Sequence, residues 1–183
     1  MKFLILFLFA VTQLLMTNTA IAQNSSPDPE SLALLQAVSR NEYQNVITAL
    51  NKGADVNTLR PYDAHTPLMI AANRNYVSIA KLLIQSKADL NLTTLFNRTA
   101  LQIAALNNSF EVAKLLSQQK NMDVNNGGRK CALAVAARQG YIKIVILLAK
   151  LKNDQAPTDK CYQSAISMAE YNHHQDIVDL LKQ

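Results

Sequence analysis

The sequence predicts an all-α repeat solenoid of about five stacked helix–turn–helix units joined by β-hairpin-like loops. Three phrases carry the prediction. Thr66-Pro67-Leu68-Met69-Ile70-Ala71-Ala72 returns as Thr99-Ala100-Leu101-Gln102-Ile103-Ala104-Ala105 and as Cys131-Ala132-Leu133-Ala134-Val135-Ala136-Ala137. A looser copy is Ser164-Ala165-Ile166-Ser167-Met168-Ala169-Glu170, and the leading residues stand 33, 32 and 33 apart. A second phrase keeps step: Gly53-Ala54-Asp55-Val56-Asn57, Lys87-Ala88-Asp89-Leu90-Asn91 and Asn121-Met122-Asp123-Val124-Asn125. The third is the apolar pair at Leu82-Leu83, Leu115-Leu116, Leu147-Leu148 and Leu180-Leu181. A fixed period of this size marks stacked units, each unable to bury its apolar face alone.

Taken in chain order, residues 1–22 come first. Lys2 precedes an apolar run from Phe3 to Val11, and Ala20-Ile21-Ala22 has A-x-A spacing, the pattern of a secretory signal peptide cleaved after Ala22. The other reading is an uncleaved anchor, but Thr12-Gln13 and Thr17-Asn18-Thr19 break the run short of a span. No Cys follows the cleavage site, so a lipoprotein anchor lacks support. Residues 23–30 form a short leader, and Asp28-Pro29-Glu30 reads as an N-cap with Pro at the first helical position. The repeat domain then spans 31–183, in units of approximately 31–64, 65–97, 98–129, 130–162 and 163–183.

Within each unit, Ala-rich first helices let neighbours approach closely. They end at equivalent positions held by Asn41, Asn75, Asn108, Gly140 and His173, which suit a left-handed cap. Second helices place apolar residues at helical spacing, as at Ile79, Leu82 and Leu83, or Ile144, Leu147 and Leu148. The carboxylates Asp55, Asp89 and Asp123 belong to the second phrase and are expected to accept from local backbone donors. At the far end, His173, His174, Gln175, Asp176 and Asp179 give the last unit a polar outer face.

Composition closes off several classes. The 183 residues are 49% hydrophobic and 17% charged, with four Gly, five Pro, two Cys and no Trp. Disordered polyelectrolytes, collagen-like chains and disulfide-dense scaffolds are excluded. The formal charge of +5 would suit nucleic acid, but the export signal argues against that partner.

The three phrases together resemble the ankyrin repeat, whose period is about 33 residues with a T-P-L-H-x-A signature. The resemblance covers about residues 31 to 183. It departs from the pattern where the signature His becomes Met69, Gln102, Ala134 and Ser167, so the Thr-to-His hydrogen bond of each repeat is not available. It departs again at Lys152 to Cys161, which lacks the Ala-Asp-Val-Asn phrase and contains Pro157.

Nothing in the sequence points to catalysis. There is no H-E-x-x-H, G-x-S-x-G or phosphate-cradling loop. His65 stands alone, and the adjacent His173 and His174 project in different directions on a helix, a poor chelate. Gly127-Gly128 reads as turn chemistry. No catalytic residue, metal or cofactor is expected.

Cys131 and Cys161 are the only cysteines. In an oxidising compartment they are a disulfide pair, or else two separate thiols with one buried as a small apolar residue. Four N-x-[ST] sites begin at Asn24, Asn91, Asn97 and Asn107. Glycans at Asn91 or Asn107 would obstruct the array, which favours a bacterial periplasmic or exported protein over a glycosylated one.

The resemblance implies partner binding through hairpin tips and the adjoining face of the first helices. By register these positions are Arg60, Tyr62, Asp63 and His65 with Asn73 and Arg74, then Leu95, Phe96 and Arg98 with Leu106 and Asn107. Arg129 and Lys130 follow with Arg138 and Gln139, and then Lys160, Tyr162 and Gln163 with Tyr171 and Asn172. Leu95-Phe96 is the most informative pair. Two large apolar residues at a tip either anchor a partner or fold back over their own hairpin. Residues 98–152 carry a net +7, which is either a solubilising face or a steering field for an acidic partner.

Two functions are consistent with these features. One is a non-catalytic module that docks, inhibits or protects one exported protein, as some small exported bacterial ankyrin-like proteins do. The other is an envelope scaffold or secreted effector that binds an acidic or polymeric partner through 98–152. A monomer is expected, with protein partners, no nucleic acid and no stable membrane insertion after cleavage.

Overall fold

The computed structural model describes residues 27–125, 131–151 and 157–182. The proposed signal peptide, residues 23–26 of the leader, Gly127-Gly128, Arg129 and Lys130 lie outside the described residues. Among the described residues ten helices form five pairs: α1 Pro29–Ser39 with α2 Tyr43–Asn51, α3 Pro67–Arg74 with α4 Val77–Gln85, and α5 Ala100–Leu106 with α6 Phe110–Ser117. The remaining pairs are α7 Ala132–Gln139 with α8 Ile142–Ala149 and α9 Asp159–Tyr171 with α10 Gln175–Leu181. No strand occurs among the described residues.

The helices make two layers. First helices stack in the order α1, α3, α5, α7, α9, and second helices in the order α2, α4, α6, α8, α10. Alanine makes the first layer possible. Ala71, Ala72, Ala104, Ala105, Ala136, Ala137, Ala165 and Ala169 are completely buried, and small side chains let neighbouring helices pack closely. Between the layers lie Leu68, Leu101, Leu133, Ile79, Leu83, Leu116, Ile144 and Leu148. Leu82 and Leu147, equal candidates on spacing, are only half-buried, packed against the margin of the core.

The caps follow the local chemistry. Asp28 accepts the Ser31 N–H at 2.9 Å with Pro29 beginning α1, as the sequence implied. Asn41, Asn75, Asn108, Gly140 and His173 all hold positive φ, between 55° and 76°, and turn the chain from first helix to second. The lost signature His is compensated in two units. Thr99 Oγ1 accepts from Gln102 N, and Gln102 Oε1 accepts from Thr99 N at 2.8 Å. Thr66 makes the same box with Met69, whose Sδ accepts from Thr66 N at 3.4 Å.

Adjacent units are also linked by a polar ladder. Asp55, Asp89 and Asp123 each accept the N–H two residues on at 2.9 Å, as expected of local turns. The asparagines reach further: Asn57 accepts Asp89 N, Asn91 accepts Asp123 N, and Asn125 accepts Thr158 N, each from the following unit. Ser31 begins the series by accepting Asp55 N at 2.8 Å.

The last unit departs from the predicted boundary. Thr158 caps α9, so the division at 162 and 163 falls inside a 13-residue helix. Thr158 Oγ1 accepts Cys161 N, and Asp159 in the first turn favours the helix dipole, which together start the helix ahead of the repeat phrase. Lys160, Tyr162 and Gln163 therefore sit on helix α9, not on a hairpin tip. Tyr162 is half-buried and donates its hydroxyl to the Ala149 carbonyl at 2.7 Å.

Candidate interaction surface

Two hairpin tips precede α3 and α5. The first is closed by Arg60 N to the His65 carbonyl and Ala64 N to the Arg60 carbonyl, both 2.9 Å, and the second by Thr94 N to the Arg98 carbonyl at 3.0 Å and Asn97 N to the Thr94 carbonyl at 2.9 Å. Ala64 and Asn97 take positive φ to make these tight returns.

The first tip satisfies its own charges. Arg60 grips Asp63 with two guanidinium nitrogens, Nε to Oδ1 at 2.9 Å and Nη2 to Oδ2. Its guanidinium carbon lies 4.6 Å from the centre of the Tyr62 ring, an exposed cation–π contact. That grip lowers the Asp63 carboxyl below the usual carboxylate range, helped by the His65 backbone N–H, and raises the Arg60 value. His65 Nδ1 is 2.9 Å from Asp63 Oδ2. Tyr62 remains 72% exposed.

The second tip is apolar and open. Leu95 is 71% and Phe96 74% exposed, so Phe96 does not fold back over its hairpin. Phe96 forms one wall of a groove of about 270 Å³ floored by Leu106 of α5, Val135 of α7 and Met168 of α9. Arg98 and Arg138 also line it, and among the described residues no carboxylate does. Both arginine side chains are exposed, and no carboxylate pairs with them among the described residues.

The structure thus gathers Phe96, Leu106 and Arg138 of the sequence candidates into one groove. It leaves Arg60, Tyr62 and Asp63 as a separate, self-paired cluster. Asn73 and Arg74 are exposed at the end of α3. Asn107 ends α5 and donates back to the Ile103 carbonyl at 2.9 Å, while Gln139 is half-buried at the end of α7. Lys130 lies outside the described residues.

Val135 and Met168 were missed. In the repeat phrase they occupy the same position as Ile70 and Ile103, which are 5% and 4% exposed, and periodicity reads that position as core. In the last two units it opens into the groove. Met168, on α9, is half-buried there.

Cys131, the N-cap of α7, and Cys161, in the first turn of α9, are joined by a disulfide with Cα atoms 6.0 Å apart. Both are buried. The bridge ties together two helices that line the groove. Among the described residues there is no cluster of His, Cys, Asp and Glu able to hold a metal, and no helix long and apolar enough to cross a membrane.

No curated protein matches this sequence. The family model for ankyrin repeats matches three overlapping stretches, residues 9–94, 34–127 and 68–160. With the period, the paired helices and these matches in agreement, the chain belongs to the ankyrin-repeat family, a family of protein-interaction modules.

Proposed function

We propose that this chain is a non-catalytic module that acts outside the cytoplasm, in a bacterial periplasm, where it docks on one exported protein and inhibits or protects it. The observation that carries the reading is the exposed Phe96 beside an apolar floor and the exposed Arg138. Exposed aromatic and arginine side chains around an apolar centre are what interface anchors look like. The location rests on the signal-peptide pattern of residues 1–22 and on a buried disulfide, which persists in oxidising compartments.

The test has two arms. Fractionated cells expressing the full chain should hold it outside the cytoplasm, beginning at Gln23 by mass spectrometry; full-length material retained in the cytoplasm overturns the location. Used as bait in envelope extract, the exported form should retain one stoichiometric protein that is lost with Phe96→Ala. An identical set of proteins on both baits, or none, favours an envelope scaffold working through the basic stretch 98–152.

A further inference from the structure

We infer that the groove takes an extended segment of its partner in which one large apolar side chain is flanked by carboxylates. This rests on the interaction reading above and names the chemistry of the partner at that site. Volume argues first. About 270 Å³ is below the roughly 300 Å³ at which small-molecule pockets begin, so the groove suits one or two side chains. Leu106, Val135 and Met168 with Phe96 give it an apolar centre, with Asn97 and Gln102 also in its lining. Met168 and Phe96 are adaptable and flat surfaces respectively, suited to a Leu, Met or aromatic side chain.

Charge argues second. Arg98 and Arg138 stand at the same groove with no acidic residue lining it among the described residues, whereas Arg60 on the neighbouring tip is already neutralised by Asp63. A guanidinium presents a planar fork that matches a carboxylate in two parallel hydrogen bonds. The positive potential is thus localised beside the apolar floor. The partner must bring its carboxylates within a residue or so of its apolar anchor. An anionic polymer would satisfy the arginines but leave the apolar floor unused, which favours a protein segment.

A peptide-display library panned on the full exported chain reads the preference directly. The expected result is enrichment of Leu, Met, Phe or Tyr with Asp or Glu one to three positions away. A synthetic peptide of that type should lose about tenfold or more in affinity with Arg98→Ala or Arg138→Ala, in line with a charge-assisted hydrogen bond. It should also weaken with Phe96→Ala. Neutral or basic selected peptides, no enrichment, or acidic peptides indifferent to both arginines overturn the inference. Dextran sulfate that binds through Arg98 and Arg138 while no peptide is selected also overturns it, in favour of a polymer ligand. The envelope bait experiment runs independently of these. A captured protein lost with Phe96→Ala alongside a neutral peptide preference removes the acidic segment and leaves the interaction module standing.

Discussion

Asn91 Oδ1 accepts the backbone N–H of Asp123 at 2.9 Å, while its Nδ2 donates to the Asn121 carbonyl at 2.8 Å. One side chain thus holds both a donor and an acceptor of the following unit, about thirty residues away in sequence. Stacking in a solenoid is a sum of nearest-neighbour contacts, and this is a polar share of one of them. Replacing Asn91 with Ala should cost about 1 to 2 kcal/mol in urea unfolding, since two backbone groups lose their partners. Unchanged stability would remove the ladder as a stacking device. The same engagement makes Asn91 a poor glycan acceptor.

Leu83→Ala should cost roughly 2 to 5 kcal/mol, because Leu83 is fully buried between the helix layers. Its neighbour Leu82 is half-buried, and Leu82→Ala should cost about half as much or less. Equal losses in chemical denaturation would contradict the two-layer arrangement. Leu148→Ala should follow Leu83 and Leu147→Ala should follow Leu82.

The disulfide closes a stretch of 30 residues between Cys131 and Cys161. Constraining the unfolded chain over that length stabilises by about 3 to 4 kcal/mol in the chain-entropy account. The Cys131→Ala and Cys161→Ala pair, or reduction, should lower the melting temperature accordingly. A double variant that melts with the parent protein under oxidising conditions would mean that the bridge contributes nothing.

Asp63 supplies a pH dependence. Arg60 holds its carboxyl below the usual range, so as pH falls the unfolded chain takes up that proton first. The contribution is complete well above about pH 4, the ordinary value for Asp, and is lost as pH drops through the lower folded value. Asp63→Asn should therefore lower the melting temperature at neutral pH, with the difference from the parent shrinking as the solution is acidified below about pH 4. A difference that stays constant down to strongly acidic pH contradicts the pairing.

Much of the fold was legible because it is written in short-range chemistry. The left-handed caps at Asn41, Asn75, Asn108, Gly140 and His173 could be named from residue type and period, since φ preference is local. The box made by Thr99 and Gln102 is equally local, a Thr followed three residues later by Gln, although Gln stands where the repeat signature has His. The early start of α9 at Thr158 was obscured because the repeat phrase pointed to Ser164, while capping follows whichever Thr or Ser stands nearest a good first turn.

The interaction groove shows the other limit. Leu95 and Phe96 announced themselves, since a hairpin tip has no core within reach. Val135 and Met168 did not, because sequence periodicity assigns a face to a residue without saying whether a neighbour covers that face. By itself the sequence determined the family, the helix pairs, the caps and the buried alanines, all set by local propensity and by a period that repeats. Only the tertiary structure decided that Arg60 neutralises Asp63 while Arg98 and Arg138 pair with no carboxylate among the described residues, and that Val135 and Met168 open beside Phe96. Those facts depend on which groups the stack brings together in space, and no single-residue preference encodes that distance.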